Sequence, residues 1–298
     1  MKKHSVFSGV GAAMVTPFDR NGNIDYSVLE RYIEHLISGG VNALIPFGTT
    51  GESSTVTDSE FDDAVRFITE KTRRRVPVIV GAGSNNTVRA AYKCAAARRL
   101  GADAVLVVTP YYNKCTQHGI VEHYKAVAKE AKIPVVLYNV PYRTCVNIEP
   151  KTLAKLKKID GVIGIKEASG NIESITKTAE ACCEIGLDLY CGDDAHTVTT
   201  MALGGIGAIS VAANLVPERM NKMYSLCRSG DYASARKIQF DMSELITALF
   251  CEVNPIPIKK ALQLYGIDVG LPRLPLTELE KAHTKRLWSA MLSMGLIK

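Results

Sequence analysis

Apolar residues recur along this chain in short continuous runs, not in strict alternation with polar ones. The runs fall at 9–15 (GVGAAMV), 41–47 (VNALIPF), 76–82 (VPVIVGA), 103–109 (DAVLVVT), 133–139 (IPVVLYN), 161–166 (GVIGIK), 187–192 (LDLYCG) and 206–211 (IGAISV). Val and Ile dominate them. Strands buried on both faces read this way, as in a parallel sheet whose faces are both covered. The intervening segments have helical period instead. Over 27–37 the apolar set is Val28, Leu29, Tyr32, Ile33, Leu36 and Ile37, with Glu30, Arg31 and Glu34 opposite. Over 119–131 it is Ile120, Val121, Tyr124, Val127, Ala128 and Ala131. Thr57 followed by Glu60 is a capping-box signature. Gly39-Gly40 and Gly101-Ala102 are placed to close helices before the next strand.

Eight such alternations, spaced mostly 26 to 35 residues apart, predict an α/β fold: a (β/α)8 TIM barrel over 1–225. The same alternation is compatible with a doubly wound open sheet. Beyond about residue 226 the strand pattern stops. Helical segments over 231–250, 255–265 and 277–296 predict a C-terminal helical appendage, 226–298.

Composition narrows the partners. The 298 residues are 47% hydrophobic and 22% charged with a formal charge of +6, ordinary for a globular chain. The densest basic run, Arg73-Arg74-Arg75, has no interleaved aromatics and reads as a solvated helix end, so no nucleic-acid partner is expected. The eight cysteines form no CxxC pair and no zinc spacing, which fits free thiols in a reducing cytoplasm. The start, MKKHSVFSGVGAAMVTPF, imitates a signal peptide, but its apolar stretch is short and interrupted and reads better as a first strand. No run reaches the ~18 apolar residues of a membrane span, so no membrane partner is expected.

In a barrel the chemistry gathers at the C-terminal ends of the strands. Those ends carry Gly48-Thr49-Thr50-Gly51-Glu52, Thr109-Pro110-Tyr111-Tyr112, Tyr138-Asn139, Lys166-Glu167 and Gly192-Asp193-Asp194. Lys166 is the unusual one, an ammonium at the end of an apolar run. At the ordinary pKa of about 10.4, roughly one such amine in a few thousand is neutral at pH 7. Burial favours the neutral form, and bringing the pKa near neutrality costs about 4 kcal/mol. A lysine so tuned is a nucleophile toward a keto acid. The same position also admits a lysine that snorkels to solvent or pairs with Glu167. Hydroxyls at Tyr138, Tyr112 and Thr49 are suited to relaying protons, and the 48–51 turn offers N–H groups to a small carboxylate. Asp193, Asp194 and His196 form the one cluster with any metal-ligand character, and no metal is expected there. The glycines of 204–210 (GGIGAIS) shape a helix-to-strand turn or hold a phosphate. No Walker lysine follows the 48–51 turn, and no GxSxG is present.

Taken together, GTTGES (48–53), TPYYNK (109–114), YNVPYRT (138–144), GIKEASG (164–170), GDDA (192–195) and NPIPIK (254–259) resemble the dihydrodipicolinate synthase family over nearly the whole chain. The resemblance implies a metal- and cofactor-free lyase of lysine (diaminopimelate) biosynthesis, built as a homotetramer of two tight dimers. It condenses pyruvate with L-aspartate 4-semialdehyde. Lys166 would form the Schiff base, with Tyr138 transferring protons and Thr49 and Tyr112 as relay partners, Tyr112 reaching into a neighbouring subunit. Thr50 would hold the pyruvate carboxylate and Arg143 that of the semialdehyde, a task that suits a planar cation. Main-chain carbonyls of Gly192 and Ile209 would lie near substrate and Schiff base.

The sugar-acid lyases of the same superfamily share the lysine and tyrosine, but typically carry serine where Thr49 stands and an acid where Ala195 stands. A non-catalytic keto-acid sensor is the alternative from another class. The family's lysine-feedback cleft maps to Ser53, Ser54, Asp58, Phe61, Asn85, Arg89 and Tyr111. Arg89 there, in place of a carboxylate, implies weak or absent inhibition by lysine.

Overall fold

The computed structural model describes residues 5–298; Lys2, Lys3 and His4 of the signal-like start lie outside the described residues. The eight apolar runs are eight strands: β1 (Gly9–Ala13), β2 (Ala43–Ile45), β3 (Ile79–Gly81), β4 (Ala104–Val108), β5 (Val135–Asn139), β6 (Val162–Glu167), β7 (Asp188–Cys191) and β8 (Gly207–Ser210). All neighbouring pairs are parallel, in the order β2-β1-β8-β7-β6-β5-β4-β3. A bridge between Leu44 and Val78 brings the two ends of that order together, which makes a barrel and not an open sheet.

The helices between them follow the sequence closely. Tyr26–Ser38 buries Val28, Leu29, Tyr32, Ile33 and Leu36, leaving Ile37 only half-buried. Asp58–Thr72 opens on the expected capping box, with the Thr57 Oγ1 accepting from Glu60 N and the Glu60 carboxylate accepting from Thr57 N. In Gln117–Ala131 the buried face also includes His123, whose ring burial holds at a pKa of about 4, a neutral core imidazole. The C-terminal segment 231–250 is two helices, Tyr232–Asp241 and Ser243–Leu249, which meet at Met242. Ile256–Tyr265 and Lys281–Ser293 follow, joined by an irregular stretch. The glycines of 204–210 form the turn into β8, where Gly204 has φ +96 and Gly205 N donates to Thr200 O; this end of β8 faces away from the mouth.

Two apolar cores result. One lies between strands and helices, and a smaller one fills the barrel, built from alternate strand residues such as Leu106, Val136, Tyr138, Tyr190 and Ile209. One irregularity decides which way Lys166 points. Val135 pairs with Val162 but Val136 pairs with Gly164, so Ile163 is an extra residue in β6. A one-residue shift exchanges the two faces of a strand. Because of it, Lys166 stands beside the inward-facing Tyr138 in place of its outward-facing neighbour Asn139. The eight cysteines are all free, and no helix among the described residues is long and apolar enough to cross a membrane.

Candidate active site

Lys166 ends its strand 5% exposed, with its Nζ 4.4 Å from the centre of the Tyr138 ring. Among the described residues no carboxylate lies within 4 Å of that nitrogen. Glu167, its neighbour in sequence, points to the other face of the strand. There it accepts from Asn139 Nδ2 at 2.7 Å and from Ser169 N at 2.8 Å. Both structural alternatives for this lysine, solvent exposure and pairing with Glu167, are therefore excluded. Burial lowers its pKa to about 8, partly opposed by the charge of Asp194. Gly192 gives the lysine its room, since a Cβ there would come within 2.9 Å of Lys166 Cε.

Tyr138 is buried beside it. Burial raises its phenol pKa, while a hydrogen bond with the Thr49 side chain and the nearby Arg143 charge pull it back. Thr49 and Tyr138 line one narrow cavity together. Thr49 also lines an adjoining cavity of about 290 Å³ with Ser53, Ser54, Tyr111, Arg143 and Asn254. A larger one, about 880 Å³, runs between the strand ends and the C-terminal helices, and Gly192, Asp193 and Ala195 are on its wall. Arg143 and Asn254 border both of these. Ile209 is fully buried in β8.

Thr50 is buried, and its hydroxyl accepts from Asn254 Nδ2 at 2.9 Å. The turn that carries it is held from several sides. Thr16 Oγ1 donates to Gly51 O at 2.7 Å, and Lys259 Nζ lies 2.7 Å from Glu52 Oε1 in a pair whose side chains are both 1% exposed. Arg273 N donates to the second Glu52 oxygen. Sequence reasoning assigned no role to Glu52, Asn254, Lys259 or Arg273. One signal was present: Lys259 sits among Ile256, Ile258, Ala261 and Leu262 on an otherwise buried helix face.

Tyr112 stands apart at 88% exposed, with φ +72, and lines none of these cavities. Of the expected regulatory cleft, Ser53, Ser54 and Tyr111 border the smaller cavity, and Asn85 O accepts from Asn113 Nδ2. Phe61 requires a correction. It is a core residue, 2% exposed and 5.4 Å from Phe47, because its position on Asp58–Thr72 faces the barrel; it does not line a cleft. Arg89 is not a lone cation either, since its Nη2 lies 3.0 Å from Asp58 Oδ1.

Asp194 and Glu252, from the two clusters with metal-ligand character, already accept hydrogen bonds. Asp194 Oδ2 accepts from Val211 N and Ala212 N, tying β7 to the end of β8. Among the described residues, Glu252, Glu280 and His283 lie close enough to share an ion, but Glu252 Oε1 already accepts from Glu280 N and lies 2.6 Å from His283 Nδ1.

Comparison with known proteins agrees with this geometry. The profile of the Dihydrodipicolinate synthetase family matches residues 6–293. A 4-hydroxy-tetrahydrodipicolinate synthase of Lachnoclostridium phytofermentans is 47% identical over 294 residues, covering 98% of this chain and all of the relative. The crystal structure of a dihydrodipicolinate synthase from Cyanidioschyzon merolae with lysine bound superposes with a TM-score of 0.94 at 39% identity, covering 99% of this chain and 100% of that one. A monomeric dihydrodipicolinate synthase variant superposes at 0.96, also 39% identical, with 98% of each chain covered.

Proposed function

Because the chain belongs to the dihydrodipicolinate synthetase family, we propose that its barrel mouth condenses pyruvate with L-aspartate 4-semialdehyde to 4-hydroxy-tetrahydrodipicolinate, with Lys166 as nucleophile. The chain is a class I aldolase-type lyase of the diaminopimelate route to lysine. The observation that carries the role of Lys166 is its placement: inward, buried, over Tyr138 and with no carboxylate partner among the described residues. With its pKa near 8, about one amine in ten is neutral at pH 7.

The neutral Nζ attacks the keto carbon of pyruvate and water leaves, forming the imine. Loss of a methyl proton gives the enamine, whose carbon attacks the aldehyde. The amino group of the semialdehyde then displaces Lys166 and closes the ring. Tyr138 and Thr49, which line one narrow cavity together, carry protons to and from these centres. Thr50 takes the pyruvate carboxylate and Arg143 that of the semialdehyde, with the carbonyls of Gly192 and Ile209 nearby. Tyr112, exposed in the single chain, completes the relay in a neighbouring subunit of a homotetramer built from two tight dimers. Feedback by lysine is weak, because the Asp58 carboxylate is engaged by Arg89 and Arg89 replaces a carboxylate that an ammonium requires.

The test is turnover of pyruvate with L-aspartate 4-semialdehyde, set against cleavage of sialic acid and of keto-deoxygluconate. Condensation faster than either cleavage supports the assignment. Faster cleavage of a sugar acid overturns it.

A further inference from the structure

Asn254 comes from the C-terminal segment, 204 residues from its partner Thr50, yet borders both of the larger cavities beside the strand ends. Its side chain is 6% exposed and divides its two polar atoms unequally. Nδ2 donates to Thr50 Oγ1 at 2.9 Å, whereas Oδ1 is buried with no hydrogen-bond partner among the described residues. A buried acceptor without a donor costs about 1–3 kcal/mol. For stability alone, an apolar residue of similar shape would serve better at this position.

The bond to Thr50 has a directional consequence. A threonine hydroxyl has one proton and two lone pairs. An amide N–H donated onto one lone pair leaves the proton free to be given elsewhere. At the mouth of this site, the group that benefits from a donated proton is a carboxylate. The backbone of the turn is held independently, by Thr16 on Gly51 and by the Lys259–Glu52 pair. Removing the Asn254 amide therefore frees the hydroxyl without releasing the loop.

We propose that Asn254 is a positioning residue for the keto acid: it fixes the Thr50 hydroxyl as a hydrogen-bond donor toward the pyruvate carboxylate. The unsatisfied Oδ1 is the cost of placing an N–H at that point. This inference rests on the pyruvate-condensing reading above and adds to it that the C-terminal segment controls recognition of the first substrate.

The test is steady-state kinetics on purified Asn254→Leu, Thr50→Val and the double variant, with thermal melting of each. Asn254→Leu is expected to raise the pyruvate KM about tenfold, the size of one hydrogen bond to an anion. Its kcat should stay within about threefold and the KM for the aldehyde within about twofold, with a Tm equal to or above that of the parent. Thr50→Val should reproduce the pyruvate effect, and the double variant should add nothing to it, because both substitutions remove one interaction. An unchanged pyruvate KM, equal losses toward both substrates, additive losses in the double variant or a lowered Tm for Asn254→Leu would each overturn the assignment. Failure of the underlying reading shows separately, as a parent enzyme with no pyruvate-dependent turnover.

Discussion

Two buried lysines, Lys166 near the end of β6 and Lys259 in the helix Ile256–Tyr265, look alike by the usual measures. Lys166 is 5% exposed and Lys259 1%. Each holds its Nζ over an aromatic ring, Tyr138 at 4.4 Å and Phe18 at 4.2 Å. Burial depresses the pKa of both. They differ in their partners. Lys259 donates to Glu52 Oε1 and to the Leu271 carbonyl, which locks a C-terminal helix to the turn over 48–52. Among the described residues Lys166 has no such acceptor and meets instead an aromatic ring and a glycine. Burial with a satisfied ammonium makes a tie. Burial without one suits the nucleophile proposed at Lys166. A depressed pKa by itself does not separate the two.

Exchanging each lysine for methionine should split them most widely. Lys166→Met is expected to lower turnover by at least roughly 10³-fold, because the covalent route is lost. Lys259→Met should instead cost about 3–5 kcal/mol of stability, since Glu52 is left as an uncompensated buried charge. Pyruvate should still be captured by that variant under conditions where it is folded. Denaturant melts and steady-state assays on both proteins check the pair.

The stability effect of Lys166→Met should have the opposite sign. A lysine whose folded pKa lies near 8, against an ordinary 10.5, is destabilising while it is charged. That cost is full below about pH 8 and disappears as pH rises past 10.5. Removing the ammonium should therefore stabilise the fold by about 2–3 kcal/mol at pH 7, with the gain shrinking through that window. A loss of stability at pH 7 would make Lys166 a structural tie like Lys259.

Tyr138→Phe sharpens the contrast further. It keeps the ring under Lys166 but removes the hydroxyl, and should lower kcat about 10²-fold with little change in stability. The smallest expected effect concerns feedback. With Asp58 engaged by Arg89, millimolar lysine should slow the condensation less than about twofold, and full inhibition below millimolar would refute that reading.

Much of this architecture is legible along the chain, for a physical reason. Strands buried on both faces must be apolar throughout, so all eight stand out, and helix faces such as Val28 to Leu36 keep a clean period. The same continuity hides orientation. In Val162–Ile165 every side chain tolerates burial, so no residue type reveals the extra Ile163 that turns Lys166 inward. Motifs located Thr49, Tyr138 and Arg143 because each lies at a strand end or in the loop that follows it. Asn254 and Lys259 escaped because their partners, Thr50 and Glu52, are more than 200 residues away, and nothing local requires the contact. Phe61 was misplaced for a related reason: its alignment with a cleft position says nothing about which way its helix faces.

The most direct test of the difference between the two lysines is borohydride trapping of pyruvate on the intact enzyme from about pH 6 to about pH 11.5, with the modified residue located by mass spectrometry. The adduct is expected on Lys166, with an initial trapping rate that rises with pH and reaches half its maximum near pH 8. An adduct on Lys259 or another lysine, or a half-maximum near the ordinary 10.5, would contradict it.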